Sequence, residues 1–335
     1  MTTIKDVARE AGVSIATVSR VLNNVGPVDK ETKRQVNLAA RHLKYVPNSL
    51  GRGLSIRRTD AIGLLLPDIF GEFFSEVIRG ADETAQQLGY HLLVSSSHSS
   101  REEIAGALKT MRGRVDGLVI MSPDIDAQTL DQNLPHNHPV VLVNCPVDNA
   151  SFDSLNIDNY GGAFQMVKHL IDHGHERIAI ITGTPGNFDA ADRLSGFRGA
   201  MTHGRRTIDE GMIIAGRFSE TSGYDAARKL LEPRVRPTAI FASNDSMAIG
   251  ALSALREKGV NVPGEIALAG FDDTPIDAFL SPALTSVRVN IHNLGVLAVQ
   301  HIIHAVREKN GQAKRQTILA TTLSLRESCG CGTRN

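Results

Sequence analysis

The first forty residues alternate apolar and polar positions with the period of an α-helix. The apolar face of the first helix consists of Ile4, Val7, Ala8 and Ala11. Thr3 and Asp6 form a capping-box pattern that starts this helix, and Gly12 can end it in the left-handed conformation. A further helix is predicted from Glu31 to Leu43, with a buried face of Val36, Ala39, Ala40 and Leu43.

Another helix is predicted between these two, because Ser14 is a favourable N-cap residue. Its inward face is Val18, Val21 and Leu22, and its outward face carries Ile15, Ala16, Thr17, Ser19 and Arg20. The stretch from Val13 to Asn24 holds no acidic residue, whereas a solvated helix usually mixes both signs of charge. Two short helices joined by a tight glycine turn and backed by a third are typical of a helix-turn-helix, whose second helix enters the major groove of DNA.

This interpretation explains the missing acidic residues, because a carboxylate on that face would be repelled by phosphates. Arg20 can donate two hydrogen bonds to guanine, and small or apolar side chains can contact thymine methyl groups. The alternative is a three-helix scaffold that uses the same face to bind a protein.

From Ala61 the pattern changes to short apolar runs that alternate with helical stretches such as Phe73 to Leu88 and Glu102 to Met111. The runs form two series, first AIGLLLPD, YHLLVSSS, DGLVIM and PVVLVN, then RIAIITG, GMIIAG, PTAIFAS and EIALAGF. Strands that alternate with helices predict parallel sheets covered on both faces, with ligands bound beyond the carboxyl ends of the strands. Two series predict two similar Rossmann-like subdomains with a cleft between them.

Charge is distributed unevenly, although the 335 residues carry no net charge. Residues 1–60 contain eleven Lys or Arg and five Asp or Glu, a net charge of +6, so the remainder carries −6. A basic N-terminal region on an acidic body is typical of a protein that presents one end to a polyanion. A chance imbalance on a solvated face is the alternative.

Composition narrows the class of protein further. The start of the chain has no apolar export segment, and no apolar run approaches the roughly 18 residues of a membrane span, so we expect a cytoplasmic, nucleoid-associated protein without a membrane partner. The three cysteines, Cys145, Cys329 and Cys331, provide no disulfide framework.

No cofactor, metal or catalytic activity is predicted. Cys329 and Cys331 are interpreted as an inert tail, since tetrahedral zinc needs four ligands. His173 and His175 flank Gly174, a natural helix terminator, and histidine suits a helix C-terminus. The loop GTPGN lacks the lysine of a phosphate-binding loop, and the sequence has no nucleophile elbow or metalloprotease helix.

Several motifs together resemble the LacI/GalR family of bacterial transcriptional regulators. They are TIKDVAREAGVSIATVSRVLNN, VPNSLGRGL, IGLLLPDI, GHERIAIITG, RLSGF, RPTAIFASNDSMAIGAL, GFDD and PALTSV, which span nearly the whole chain. The resemblance implies an all-α helix-turn-helix head at residues 1–46, a hinge helix and linker at 47–60, and an α/β effector-binding and dimerisation domain of periplasmic binding protein type at 61–335. The C-terminal residues lack leucine heptads, so a homodimer is expected rather than a coiled-coil tetramer.

The resemblance also implies which residues contact operator DNA. They are Thr3, Ser14, Ile15, Ala16, Thr17, Ser19, Arg20, Asn23, Asn48 and Leu54. In this family the leucine that matches Leu54 inserts into the minor groove, where an apolar wedge can kink the duplex. Gly51 stands where alanine is common in the family and Gly53 adds a second flexible position, so we expect a hinge that is unusually disordered off DNA; a plain linker is the alternative.

Residues after the predicted strands are candidates for binding the effector. The resemblance implies a cleft site formed by Phe73, Phe74, Asn144, Asp189, Arg193, Phe218, Asn244 and Asp272. Such aromatic, carboxylate and guanidinium groups suit a small polar ligand, most simply a sugar. Simple core packing is the alternative for Phe73 and Phe74, and helix capping is the alternative for Asn244.

The predicted function is a ligand-responsive DNA-binding transcriptional regulator, with repression favoured, that binds a pseudo-palindromic operator as a dimer. A solute-binding protein of the same body fold and an architectural DNA-binding protein without a sensor are the alternatives. Sugars, sugar phosphates, nucleosides, purines and a phosphorylated partner protein all remain open as effectors, as does the direction of the response.

Overall fold

The computed structural model describes residues 2–23, 26–45, 58–98, 100–123, 125–135, 138–147, 152–232, 236–308 and 314–331. These residues divide into two compact units, which are described separately. The smaller unit runs to Asp60 and takes in Gly113–Val115, and the larger unit holds the other residues from Ala61 onward. The predicted hinge residues Asn48 and Leu54 lie outside the described residues.

The smaller unit is a three-helix bundle made of α1 (Ile4–Glu10), α2 (Ile15–Asn23) and α3 (Lys30–His42). Its core contains Val7, Ala8, Val18, Val21, Val36, Ala39 and Ala40. Leu22 and Leu43, which the pattern assigned to the buried faces, are only partly buried at its margin.

Local signals fix the ends of these helices. Gly12 has a φ of +64°, as a left-handed helix stop requires. The Ser14 hydroxyl accepts a hydrogen bond from the backbone N–H of Thr17 at 3.1 Å. The carboxylate of Asp6 accepts hydrogen bonds from the backbone N–H and hydroxyl of Thr3, which holds its pKa below the ordinary value. The predicted turn between α1 and α2 is therefore confirmed.

The larger unit contains two α/β subdomains. Its helices are α4 (Glu72–Gln87), α5 (Arg101–Met111), α6 (Ala127–Asn133), α7 (Asn159–Asp172), α8 (Phe188–His203), α9 (Glu220–Leu231), α10 (Asp245–Glu257) and α11 (Ile291–Arg307). Three 3₁₀ turns lie at Glu210–Met212, Pro275–Phe279 and Glu327–Cys329. No helix among the described residues is both long enough and apolar enough to cross a membrane.

Twelve strands of the described chain form two six-stranded sheets. The strands are β1 (Ala61–Leu66), β2 (His91–Ser96), β3 (Gly117–Ile120), β4 (Val140–Val143), β5 (Asp153–Ile157), β6 (Ile178–Thr182), β7 (Ile213–Ala215), β8 (Ala239–Ala242), β9 (Ala267–Asp272), β10 (Thr285–Arg288), β11 (Gln316–Leu319) and β12 (Thr322–Ser324). The N-terminal subdomain has the parallel order β11-β5-β4-β3-β1-β2. The C-terminal subdomain has the order β12-β10-β9-β8-β6-β7, in which only β12 is antiparallel to its neighbour.

The chain passes between the subdomains three times. It leaves the first sheet after β5, returns after β10 to add α11 and β11, and crosses again to add β12. Helix α11 packs against α4, and the pairs α7–α8 and α9–α10 belong to the C-terminal subdomain. All eight apolar runs form strands as predicted, whereas β5, β10, β11 and β12 were not predicted because they are short and carry polar residues.

Glycines allow these helix pairs to approach each other closely. A Cβ on Gly250 of α10 would lie 1.9 Å from the backbone oxygen of Glu220, and a Cβ on Gly223 of α9 would lie 2.1 Å from a backbone oxygen of α10. Gly80 and Gly295 make the same reciprocal contact between α4 and α11, at 2.1 and 2.2 Å. At these four glycines a larger residue would push the paired helices apart, so the close packing of α9 with α10 and of α4 with α11 depends on glycine.

Gly250→Ala is expected to lower the free energy of unfolding by about 1–3 kcal/mol, because the added methyl overlaps a backbone atom that cannot move alone. Gly106→Ala is the matched control, since Gly106 also lies inside a helix but a Cβ there meets nothing within 4 Å. That control should gain about 0.5–1 kcal/mol from helix propensity. Urea unfolding of both variants measures the difference, and equal stability would contradict the packing argument.

Candidate functional site

One face of α2 is suited to contact with a nucleic acid. Ile15 is 44% exposed although it is a large apolar residue, and Ala16 and Arg20 are exposed beside it. Thr17 and Ser19 are partly buried, and the hydroxyls of Ser14 and Thr17 lie 2.9 Å apart. Nothing is described for the side chain of Asn23. The predicted outward face is thus a small, acid-free surface with one guanidinium.

The acidic residues of the same bundle are engaged elsewhere. Asp6 pairs with Arg9 at 2.6 Å, Glu31 pairs with Arg34 at 2.6 Å, and Glu10 lies 3.1 Å from His42. Asp29 caps α3 by accepting a hydrogen bond from the N–H of Thr32. None of these groups belongs to α2, so its outward face remains free of negative charge.

A second site lies in the larger unit, where polar residues collect at the carboxyl ends of the strands. Its centre is the guanidinium of Arg193 on α8, which is only 4% exposed. Arg193 donates from Nε to Oδ1 of Asn159 at 2.8 Å and from Nη1 to the backbone oxygen of Ser243. Its Nη2 lies 3.5 Å from Oδ1 of Asp272, and its Cζ lies over the ring of Phe271, 3.7 Å from the ring centroid.

Asp189 and Asp272 give this cluster two carboxylates. The amide nitrogen of Asn159 donates to Oδ1 of Asp189 at 2.8 Å, so Asn159 joins Asp189 to Arg193. Burial raises the pKa of both carboxyl groups, and Arg193 acts in the opposite direction on each. Asp272 ends β9 with a φ of +116°, a conformation that an aspartate adopts only at a cost.

Phe218 and Asn244 form a neighbouring pair. The amide nitrogen of Asn244 donates to the backbone oxygen of Phe218 at 3.2 Å, and its oxygen caps α10 by accepting from Met247. Phe218 has a φ of +58°, and its ring lies where a Cβ on Gly183 would be, 2.0 Å from Cζ. Asn244 therefore caps a helix, as the alternative interpretation expected. Gly183 in the GTPGN loop leaves space for the ring of Phe218.

The N-terminal subdomain contributes Phe73, Phe74 and Asn144. The two rings meet edge to face with centroids 5.4 Å apart, and both are partly buried against the core. Asn144 has a φ of +46°, and its Oδ1 accepts from the backbone N–H of Ile157 at 2.8 Å, so it links the ends of β4 and β5. The two rings thus contribute to core packing, and the Asn144 oxygen already accepts a hydrogen bond within the fold.

A hydrogen bond and a charge effect connect the two subdomains in this region. Glu72, beside Phe73, accepts a hydrogen bond from the backbone N–H of Ile276 at 3.1 Å. Burial raises the pKa of the Cys145 thiol, at the end of β4, to about 12, and the charge of Asp189 adds to that shift. Cys145 of the N-terminal subdomain therefore lies close enough to Asp189 of the C-terminal subdomain for its charge to act on the thiol.

A pair of buried carboxyl groups lies behind Asp272 and was not predicted. Asp245 accepts from the N–H of Thr274 at 3.0 Å and from the hydroxyl of Ser286 at 2.6 Å, and Asp277 accepts from the hydroxyl of Thr274 at 3.2 Å. Burial is the main cause that raises the pKa of both, that of Asp277 to about 7. Two buried carboxyl groups that interact in this way disfavour the state in which both are ionised.

Asn159 and Ser243 were also missed as parts of the site. Asn159 follows β5, a polar strand that hydrophobicity does not reveal, so its position after a strand end could not be recognised. Ser243 acts through its backbone oxygen, which carries no sequence signal. The sequence signal that pointed to this region was the set of polar residues after the predicted strands.

Comparison with known proteins finds relatives for both parts of the chain. Residues 3–48 match the model described as "Bacterial regulatory proteins, lacI family", and residues 167–329 match the "Periplasmic binding protein-like domain". The chain is 35% identical over 300 residues to catabolite control protein A of Priestia megaterium, covering 89% of this chain and 90% of that protein. It is 35% identical over 318 residues to the ribose operon repressor of Escherichia coli K12, covering 94% and 96%.

A solved structure is similar over almost the whole chain. The lac repressor dimer bound to operator and the anti-inducer ONPF has a TM-score of 0.86 and 28% identity, with 98% of this chain and 99% of that chain covered. The arrangement of the helical unit followed by two α/β subdomains is therefore shared with a protein that binds both DNA and a small ligand.

Asp277→Asn is expected to weaken the pH dependence of stability. The ordinary pKa of aspartate is 3.8 and that of folded Asp277 is about 7, so between these values the folded chain binds more protons than the unfolded chain. Its contribution to the free energy of unfolding therefore falls as pH rises through this window. The asparagine mimics the protonated acid and removes this loss.

Urea unfolding at about pH 5 and about pH 8 measures the effect as a difference between variant and unmodified protein. The variant should exceed the unmodified protein in stability by more at the higher pH than at the lower pH, because at about pH 5 only part of the loss has occurred. Asp225→Asn, an exposed carboxyl on α9, is the control and should change neither value. A variant that loses as much stability with pH as the unmodified protein would show that Asp277 is already ionised.

Proposed function

The chain belongs to the LacI family of bacterial regulatory proteins, and from this premise we propose that it is a transcriptional repressor whose affinity for operator DNA is set by a small hydroxyl-rich ligand. The observation that carries the proposal is that one chain contains both an exposed, acid-free helix face and a buried cluster of Arg193 with carboxyl groups at the strand ends. The names of similar proteins, a ribose operon repressor and an operator-bound lac repressor, agree with such a ligand and such a target.

Each segment of the chain is proposed to have its own role in regulation. Residues 1–46 read DNA, residues 47–60 link and contact the minor groove, and residues 61–335 bind the effector and form a homodimer. Ile15, Ala16 and Arg20 supply exposed base-reading side chains on α2. Two such faces in a dimer read two half-sites of a pseudo-palindromic operator. The protein acts in the cytoplasm on the nucleoid, and no catalytic step is assigned to it.

The ligand is proposed to be a sugar or sugar derivative, because of the chemistry of the second site. Asp189 and Asp272 offer fixed acceptors for vicinal hydroxyl groups, and Asn159 and Arg193 hold them in position. Phe73, Phe74 and Phe218 supply aromatic surface of the kind that covers the apolar face of a sugar ring. Effector and operator are then coupled reciprocally through the linker.

Arg20→Ala is expected to cost about 1–3 kcal/mol of operator binding and to relax preference at one base pair in each half-site. Arg34→Ala is the matched control, since it removes the same charge from the same bundle but from a side chain already paired with Glu31. Selection of binding sites from random DNA, followed by titration, measures both effects. An unchanged selected sequence for Arg20→Ala would remove Arg20 from the base-reading set.

Thermal unfolding against a panel of sugars, sugar phosphates, nucleosides and purines is expected to identify the ligand. A ligand at about 100 times its dissociation constant raises the free energy of unfolding by roughly 2.7 kcal/mol. For a domain of this size, each kcal/mol raises the melting temperature by about 2–4 °C. Asp189→Asn should abolish the shift, and Asp82→Asn, an exposed carboxyl on α4, should leave it intact. A panel with no response would count against a small-molecule sensor of these classes.

A further inference from the structure

The C-terminal residues of the chain fold against the C-terminal subdomain. The Ser328 hydroxyl donates to the backbone oxygen of Leu268 at 2.6 Å, and Thr285 donates from its N–H to the same hydroxyl at 2.8 Å. Cys329 is 3% exposed and belongs to the core. The interpretation of this segment as an inert tail was wrong about its position, because Cys329 and Cys331 are held at a defined place in the fold.

His169 in the last turn of α7 and His173 directly after that helix lie at the same place. Nε2 of His169 is 2.8 Å from Sγ of Cys331, and the rings of His169 and His173 have centroids 4.2 Å apart, as their i, i+4 spacing on a helix allows. One potential ligand atom from each of His169, His173 and Cys331 lies within 4.8 Å of the other two. Sγ of Cys329 is 2.6 Å from Sγ of Cys331.

We propose that His169, His173, Cys329 and Cys331 bind a thiophilic divalent metal ion of the zinc class. Two imidazole nitrogens and two thiolates are a common set of four ligands for tetrahedral zinc, whose metal–nitrogen and metal–sulfur bonds place the ligand atoms about 3.3–3.8 Å apart. The 2.8 Å between His169 and Cys331 and the 2.6 Å between the two sulfurs are shorter than that range, so the side chains must rotate apart to admit an ion. The ligand atoms of His169, His173 and Cys331 already lie within 4.8 Å of one another, and Cys329 is the fourth ligand that the proposal adds.

The hydrogen bond made by His173 leaves one of its ring nitrogens available to bind a metal ion. Nδ1 of His173 hydrogen-bonds the backbone oxygen of His169 at 2.8 Å, so Nδ1 carries the proton and Nε2 keeps its lone pair. Ligating histidines are usually oriented by this kind of contact.

The turn between the cysteines is also suited to paired ligands. Gly330 has a φ of +81°, a left-handed conformation that brings both sulfurs to one side of the turn. The Thr285 hydroxyl lies 3.2 Å from Sγ of Cys329 and can donate a hydrogen bond to its thiolate. Metal binding would release the two thiol protons, leaving two thiolates and two neutral imidazoles whose charge balances that of the ion.

The site is separate from the proposed effector cluster, although both use α7. Asn159 at the start of this helix bonds Arg193, whereas His169 and His173 lie at its far end. Neither histidine contributes to the cluster around Arg193. The metal proposal therefore stands or falls independently of the proposed function.

The test uses the untagged full chain, stripped of metal with a chelator and kept reduced with a phosphine. Titration with Co²⁺ should produce the thiolate-to-cobalt charge-transfer band and the intense visible bands of tetrahedral cobalt, and Zn²⁺ should abolish both at one ion per chain. Cys331→Ser should remove the charge-transfer band or reduce it by half or more. His169→Gln should weaken cobalt affinity by at least about tenfold, since losing a ligand exceeds the loss of an outer-shell partner.

Cys145→Ser is the matched control, because Cys145 is a buried thiol outside the cluster and its loss should leave the spectrum unchanged. Circular dichroism establishes that each variant is folded, and His169→Gln carries the test if Cys331→Ser does not fold. No tetrahedral spectrum with the reduced protein, or an equal spectrum in His169→Gln and the unmodified chain, would overturn the proposal. A Cys329–Cys331 disulfide that survives reduction would overturn it too.

Discussion

The larger unit is organised around one buried positive charge. A guanidinium removed from water must have its donors satisfied and its charge opposed, or the fold loses several kcal/mol. Arg193 meets this requirement with groups from three separate chain segments, the start of α7, the end of β8 and the end of β9. The same requirement fixes where Asn159, Ser243 and Asp272 lie. The geometry of the strand ends therefore follows from the need to hydrogen-bond and charge-compensate Arg193 with protein groups.

Helix α7 transmits that constraint through the C-terminal subdomain. Its first residue is tied to the guanidinium, and its last turn lies beside the two C-terminal cysteines. Gly196 of α8 allows close packing against α7, since a Cβ there would lie 2.4 Å from the backbone oxygen of Tyr160. A helix held at both ends and packed without intervening side chains has little freedom to adjust on its own.

The fold was largely predictable from the sequence, because apolar periodicity and capping residues are local signals. The glycine turn at Gly12, the cap at Ser14 and all eight apolar strands follow from neighbours in the chain. The site was predictable only in part, since the partners of Arg193 and the pair Asp245–Asp277 arise from residues far apart in sequence. His169, His173 and Cys331 show the same limit, because 162 positions separate His169 from Cys331.

The threefold passage of the chain between the subdomains has a consequence for biosynthesis. The first sheet begins with β1 at Ala61 but is completed only by β11 at Gln316–Leu319, and its helix α11 is made after the whole second sheet except β12. On the ribosome, the first subdomain must therefore wait with an open sheet edge while residues 158–315 are still being translated. Neither half of this unit corresponds to a continuous stretch of its gene, so no single cut in the coding sequence releases a complete half.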